Sequence, residues 1–127
     1  MLSRAVLEPA NRANDIRGCT VVDQAGYEIG HVDDLLVDPA GSRVFFMTVR
    51  PSGMLLDDAR RLIPVDAVQR RTDDAVHVDQ DFEQVAAGPQ YLPELISDPG
   101  YQAGVYGWYG YVPYWHPGYV QPGWPHR

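Results

Sequence analysis

The chain has 127 residues, with ten Arg, no Lys and 17 acidic residues, which gives a net charge of −7. This length predicts one domain with its own core, and a single cysteine excludes an intramolecular disulfide framework. An acidic body repels phosphate backbones, which argues against nucleic acid as a partner.

The first 14 residues are polar and lack periodicity, so they predict an N-terminal arm, either flexible or briefly helical. They contain no apolar stretch of the kind found in signal peptides. No run in the chain approaches the roughly 20 apolar residues that cross a bilayer. These features predict a soluble, cytoplasmic protein without a membrane span.

From Ile16 onward, short apolar runs alternate with turn signals about every ten residues, which predicts a small, mostly β barrel or sandwich of five to six strands. The predicted strands are Arg17–Asp23, Tyr27–Val37, Arg43–Arg50, Arg61–Val65, Ala67–Arg71 and Ala75–Asp79. The last two form a hairpin. A short helix follows, capped by Asp79 or Asp81 and ended by Gly88 and Pro89.

Three positions refine this prediction. Gly30 indicates a bulge or a sharp bend within the second strand. Arg43–Arg50 is apolar on both faces, which favours a closed or half-closed barrel. Pro64 indicates a sheet edge or a strand end, because proline cannot donate a ladder hydrogen bond.

Composition changes sharply at Asp98. Residues 1–98 carry all 17 acidic residues and nine of the ten Arg, a net charge of −8, whereas residues 99–127 hold all three Trp and six of the eight Tyr. We therefore predict a folded domain over 15–98 and an irregular, low-complexity tail over 99–127, because its many Gly and Pro residues disfavour a regular helix.

Aromatic rings on such a tail offer contact area at low entropic cost. Four docking places stay open for it: its own barrel, a neighbouring subunit, a membrane interface, or copies of itself. The predicted contact residues are Tyr106, Trp108, Tyr109, Tyr111, Tyr114, Trp115 and Trp124.

Two sequence segments, in this order along the chain, resemble motifs of the PRC-barrel family: Asp23–Asp38 (DQAGYEIGHVDDLLVD) and Leu62–Val68 (LIPVDAV). The resemblance extends over about 15–93. It implies a small, strongly bent β-barrel and a non-catalytic role through protein contacts. Such roles belong to the cytoplasmic domain of the photosynthetic reaction-centre H subunit and to the C-terminal domain of a ribosome-maturation factor. The chain resembles the stand-alone members, which are often dimeric. The loop Ser52–Ala59 departs from many of them in having one Gly.

The Cys, His and paired Asp residues, types that often form catalytic or metal sites in proteins, show no recognisable site pattern in this sequence. Cys19 predicts a buried structural thiol, and His31 and His77 lack metal-ligand spacing. The acidic pairs predict solvated turn residues, because they lack the alternating oxygen ligands of a calcium loop and strand neighbours point to opposite faces. The pairs are Asp33-Asp34, Asp57-Asp58 and Asp73-Asp74. A second interpretation stays open, in which they form a contact surface for an Arg-rich partner.

The sequence therefore predicts no catalytic, cofactor-binding or metal-binding residue and no cofactor. The hypothesis it favours is a non-enzymatic protein-interaction or adaptor module that forms a homodimer, with the tail as a contact element. A membrane-surface or small-ligand binding domain is the alternative. An enzyme is the least supported reading, because no residue cluster supplies a nucleophile, a base or a metal.

Overall fold

In this computed structural model, the described residues are 3–4, 17–37, 44–52 and 59–117. They form the mostly β fold that the sequence predicts. The strands are β1 (Ser3–Arg4), β2 (Thr20–Val22), β3 (Glu28–Val37), β4 (Val44–Pro51), β5 (Arg61–Pro64), β6 (Val68–Arg71) and β7 (Ala75–Val78). The α-helices are α1 (Phe82–Ala86) and α2 (Pro99–Trp108), and single 3-10 turns cover Val65–Ala67 and Pro93–Leu95.

The strands form one sheet in the order β5-β4-β3-β2-β7-β6, with β1 paired to β3 off this path. All pairs are antiparallel except β2 with β7, which run parallel. The long strand β3 pairs with β4 along one edge and with β1 and β2 along the other. The result is a strongly curled half-barrel, in agreement with the predicted barrel.

Bulges produce the curl, because an extra residue in one strand bends it and increases its twist. One register shift lies between β2 and β3 beside Gly30, where the sequence predicts a bulge or a bend. A Cβ at Gly30 would lie 2.1 Å from the carbonyl oxygen of Arg50, so only glycine allows β4 to approach this closely. Pro64 ends the edge strand β5, which confirms the prediction for that position.

The core lies inside the curl. Residues 45–49 of β4 are all buried, as the two-sided apolar pattern predicts. Helix α2 covers the core, and its Tyr106 is fully buried with its ring centroid 5.0 Å from that of Phe46. The other large side chains that are almost fully buried include Ile29, Leu35, Leu36, Met47, Leu62 and Ile63.

Helix α2 corrects the prediction that residues 99–127 are irregular from their start. The Asp98 side chain caps it by accepting a hydrogen bond from Gly100 N at 3.1 Å, and Pro99 occupies the first turn, where proline is favoured. Gln102, Val105 and Tyr106 form its buried face. Each glycine weakens a helix by about 1 kcal/mol relative to alanine, and tertiary burial of this face offsets that penalty.

The helix ends in a Schellman motif. Gly110 has a φ of +82° and its N–H bonds to Gly107 O at 3.2 Å, while Tyr111 N bonds to Tyr106 O at 2.9 Å. This turn directs the chain back towards the sheet. None of the helices in the described part of the chain is long and apolar enough to cross a membrane.

The structure differs from the predicted N-terminal arm at two residues and agrees with the predicted short helix. Ser3 and Arg4 pair with Val37 and Leu36 of β3, so these two residues are strand rather than arm, and the rest of 1–14 lies outside the described residues. Helix α1 follows Asp81, as predicted, although the Asp81 side chain makes no capping hydrogen bond.

Candidate functional site

The described aromatic residues after α2 pack on the chain's own fold, which is one of the four docking places left open by the sequence. The Tyr114 ring stacks on Phe45 with centroids 4.2 Å apart and planes at 26°. Trp115 meets Tyr114 edge-on at 5.0 Å and Tyr106 edge-on at 6.5 Å. These contacts hold both exposed and buried rings in fixed positions.

The structure divides the predicted contact residues into three groups. Tyr106 and Tyr109 are buried and belong to the core. Trp108 and Trp115 are 42% and 45% exposed. Half-buried positions are taken by Tyr111 and Tyr114, and Trp124 lies outside the described residues.

Trp108 is held by a reciprocal pair of hydrogen bonds with α1. Its Nε1 donates to Gln84 O at 2.9 Å, and Gln84 Nε2 donates to Trp108 O at 2.8 Å. Gly88 lies beneath this contact, because a Cβ there would lie 2.9 Å from Trp108 Nε1 and 2.7 Å from the Tyr109 hydroxyl. The sequence predicts Gly88 only as a helix stop and misses this packing role.

Two tyrosines of this region resist ionisation. Burial raises the pKa of Tyr109, and the nearby Arg61 opposes that shift only partly. The pKa of Tyr111 is raised by burial and by the hydrogen bond that its hydroxyl donates to Asp79. Both phenols therefore stay neutral around pH 7: Tyr109 acts through packing, and Tyr111 also through its hydrogen bond to Asp79.

An open cavity of about 390 Å³ lies between Trp115 and the start of α2. We call it the aromatic groove and define it by its lining residues, Ser97, Pro99, Gln102, Tyr114 and Trp115. None of these side chains carries a charge. Gln102 is buried and donates to Ile96 O, so the floor of the groove is fixed.

The pair Asp33-Asp34 differs from the prediction of solvated acids on opposite faces. Val32 opposes Val49 and Asp34 opposes Thr48, so Asp33 is the extra residue of a bulge in β3. A bulge interrupts the alternation of side chains along a strand. Asp33 and Asp34 consequently line the same cavity, of about 250 Å³, and Asp34 is buried.

Arginines neutralise this pair. Asp33 Oδ1 accepts from Arg50 Nη2 at 2.8 Å and its Oδ2 accepts from Arg60 Nε at 2.7 Å, while Arg17 Nη1 lies 3.9 Å from Asp34 Oδ1. The Asp–Arg cluster thus links β3 to β4 and to the segment before β5. Its geometry is that of a structural ion-pair network.

Two further buried polar residues are missed by the sequence reasoning. Asp23 accepts hydrogen bonds from the backbone N of Ala25 and Tyr27 and, across the fold, from Phe82 N, each at 2.9 Å. It therefore fixes the β2–β3 turn and the start of α1. An Asp three residues before Gly26 is a turn signal, but its second role depends on a residue 59 positions away.

Arg61 is almost fully buried at the start of β5. Its guanidinium donates to the carbonyl oxygens of Ala59, Val85 and Ala86, at 2.6, 3.3 and 2.8 Å. The last two belong to the C-terminal end of α1, where a cation also opposes the helix dipole. Arg61 is a structural residue.

The remaining predicted positions lie apart. Cys19 is buried, as predicted. His31 is exposed on β3, and His77 on β7 has ring nitrogens 3.4–3.5 Å from Arg70 Nη2. Asp73-Asp74 is exposed in the β6–β7 turn, as predicted, and Asp57-Asp58 lies outside the described residues. Within the described ranges, no three His, Cys, Asp or Glu side chains come together as metal ligands.

Comparison with known proteins gives a family match and likenesses to solved structures. The sequence profile of the PRC-barrel domain matches residues 8–85. The chain is similar to the solved structure of the 16S ribosomal RNA processing protein RimM of Pseudomonas aeruginosa, with 30% identity and a TM-score of 0.43. That match covers 54% of this chain and 42% of RimM, less than half of its length. No curated protein matches the chain in sequence.

Proposed function

Because the chain belongs to the PRC-barrel domain family, we propose that it is a non-enzymatic protein-interaction module of the cytoplasm that associates with a second copy of itself through the aromatic surface after Asp98. The observation that carries this proposal is the exposure of Trp108, Val112 and Trp115, at 42%, 47% and 45%, on a segment whose other described rings are buried in the core or packed against it. Tryptophan side chains at fixed positions are the residues most enriched among strong contributors to interfaces.

The distribution of charge along the chain supports self-association at this surface. The chain has a net charge of −7, so two copies repel each other over most of their surfaces. Residues 99–117 contain no Asp, Glu, Lys or Arg. Two copies that meet through this segment bring the least like charge together. Added salt screens the remaining repulsion, so we expect tighter association at high ionic strength.

The test is a concentration series by size-exclusion chromatography with light scattering. We expect the unmodified chain to form a dimer and the variants Trp108→Ser and Trp115→Ser to weaken it by about tenfold or more. Tyr27→Ser is the matched control, because Tyr27 is 61% exposed on the β2–β3 turn outside the proposed surface. Equal dimerisation of all four proteins would exclude the aromatic surface, and four monomers would exclude self-association.

A truncation after Asp98 is not a clean test of this proposal. Tyr106 and Val105 belong to the buried core with the sheet residue Phe46. Removing them exposes apolar core surface and changes the folded body itself. Single substitutions of exposed rings leave that core intact.

A further inference from the structure

The aromatic groove has the features of a site for an extended proline-containing peptide. Proline-rich segments bind aromatic-lined grooves, because their extended left-handed helix is already ordered before binding. The groove presents the rings of Tyr114 and Trp115 at 84° to each other beside the ring of Pro99. Its volume of about 390 Å³ accommodates a few side chains.

The groove is also prepared for a backbone contact. Trp115 makes no hydrogen bond with any residue that the structure describes, and it is 45% exposed, so its indole N–H is available as a donor. A polyproline-type helix has no internal hydrogen bonds and leaves its carbonyl groups available as acceptors. Tyr114 is fixed by its stacking on Phe45, so binding requires little ordering of the groove.

The chain carries a matching ligand in its own sequence. Residues 122–125 read Pro-Gly-Trp-Pro, a P-x-x-P motif. In an extended polyproline-type helix three residues complete one turn, so prolines three positions apart, as in P-x-x-P, share one face in that conformation. Arg127 follows and is the only charged side chain after Asp98, which suits a body with a charge of −8 over residues 1–98.

We propose that the aromatic groove of one copy binds the P-x-x-P motif at 122–125 of a second copy. The inference rests on the proposed self-association and names its ligand class. Reciprocal exchange of the motif between two copies gives two identical contacts in one dimer, the arrangement expected of a twofold-symmetric interface. Each copy supplies both the groove and the peptide.

The experiment measures binding of a fluorescent synthetic peptide of residues 117–127 to the full chain by anisotropy. The recipient is the full chain with Pro122→Ala and Pro125→Ala, whose own motif does not compete. We expect the peptide to bind it, and expect Trp115→Ala or Ser97→Arg in this recipient to weaken binding by about tenfold or more. Ser97 is exposed, so its replacement fills the groove without disturbing the core. Tyr27→Ala is the control and should change binding less than twofold.

A peptide with both prolines replaced by alanine should bind at least about tenfold more weakly, and the recipient alone should sediment as a monomer. The inference is overturned if the peptide does not bind, or if substitution of Trp115 and Ser97 leaves its binding unchanged. If the recipient is nevertheless a dimer in that case, the proposed self-association still stands. Peptide binding by the recipient together with a monomeric unmodified chain means that the motif occupies its own chain's groove. That result overturns the second copy as the occupant and contradicts the proposed self-association.

Discussion

Gly30 controls how closely β3 and β4 approach. A methyl group at this position would lie 2.1 Å from the Arg50 carbonyl oxygen and 2.9 Å from its carbonyl carbon, both backbone atoms that cannot rotate away. We expect Gly30→Ala to lower the free energy of unfolding by at least about 2 kcal/mol, as overpacking of a rigid contact does. Urea unfolding measures the change. Gly104→Ala is the control, because its Cβ meets nothing within 4 Å, and an equal loss in both variants would contradict the explanation.

Tyr109 makes stability depend on pH in the alkaline range. An unfolded tyrosine ionises with a pKa of about 10, and burial raises the pKa of Tyr109 in the folded chain. Above pH 10 the unfolded chain therefore loses a proton that the folded chain keeps. Stability is full below that pH and falls as the pH rises, by at most about 1.4 kcal/mol per pH unit for this residue.

We expect Tyr109→Phe to flatten this alkaline decline in urea unfolding between pH 9 and 11. At pH 7 the substitution should change stability little or increase it, because the Tyr109 hydroxyl is buried without a hydrogen-bond partner among the described residues. A variant with an unchanged alkaline slope, or one strongly destabilised at pH 7, would contradict the assignment.

Buried polar residues are where the sequence informs least. Cys19 follows a general preference of its residue type, and its burial is predictable. The roles of Asp23 and Arg61 depend on partners at Phe82, Val85 and Ala86, which only the folded chain brings near. Local sequence contains no record of such distant contacts.

At the scale of single elements, the two glycines near the end of α2 have opposite roles. Gly107 lies inside the helix with open space at its Cβ position, whereas Gly110 has a φ of +82° in the Schellman turn. We expect Gly107→Ala to raise the free energy of unfolding by about 0.5–1 kcal/mol. Gly110→Ala should lower it by about 1 kcal/mol, because alanine is strained at positive φ. Thermal unfolding of the matched pair tests both signs, and shifts in the same direction would contradict the helix end described here.

The strands are well predicted because their short apolar runs and the turn residues between them are local signals. Tyr27–Val37 and Arg43–Arg50 reappear as β3 and β4 with small changes at their ends. The prediction misses helix α2 because it is based on composition, and the glycines and Pro99 favour an irregular segment. The sequence nevertheless contains two helix signals. Asp98-Pro99 is a capping pair, and Gln102, Val105, Tyr106 and Tyr109 have helical spacing. The parallel pairing of β2 with β7 has no local signal.

At the scale of the whole molecule, the compositional boundary at Asp98 does not coincide with the limit of the core. Tyr106 is fully buried against the sheet although it lies eight residues after that boundary. We expect Tyr106→Ala to lower the free energy of unfolding by about 3–5 kcal/mol, the range for large aromatic truncations. Chemical unfolding measures it, with Trp115→Ala as a partly exposed comparison that should lose clearly less. Comparable losses would contradict the packing of α2 on the core.

The central claim is that this acidic chain pairs with itself through an uncharged aromatic surface. Sedimentation equilibrium of the unmodified protein, over a wide concentration range and at low and high salt, tests it most directly. We expect a mass of twice 14.2 kDa that falls towards the monomer on dilution and persists further at high salt. A mass of 14.2 kDa at every concentration and salt level would contradict the claim.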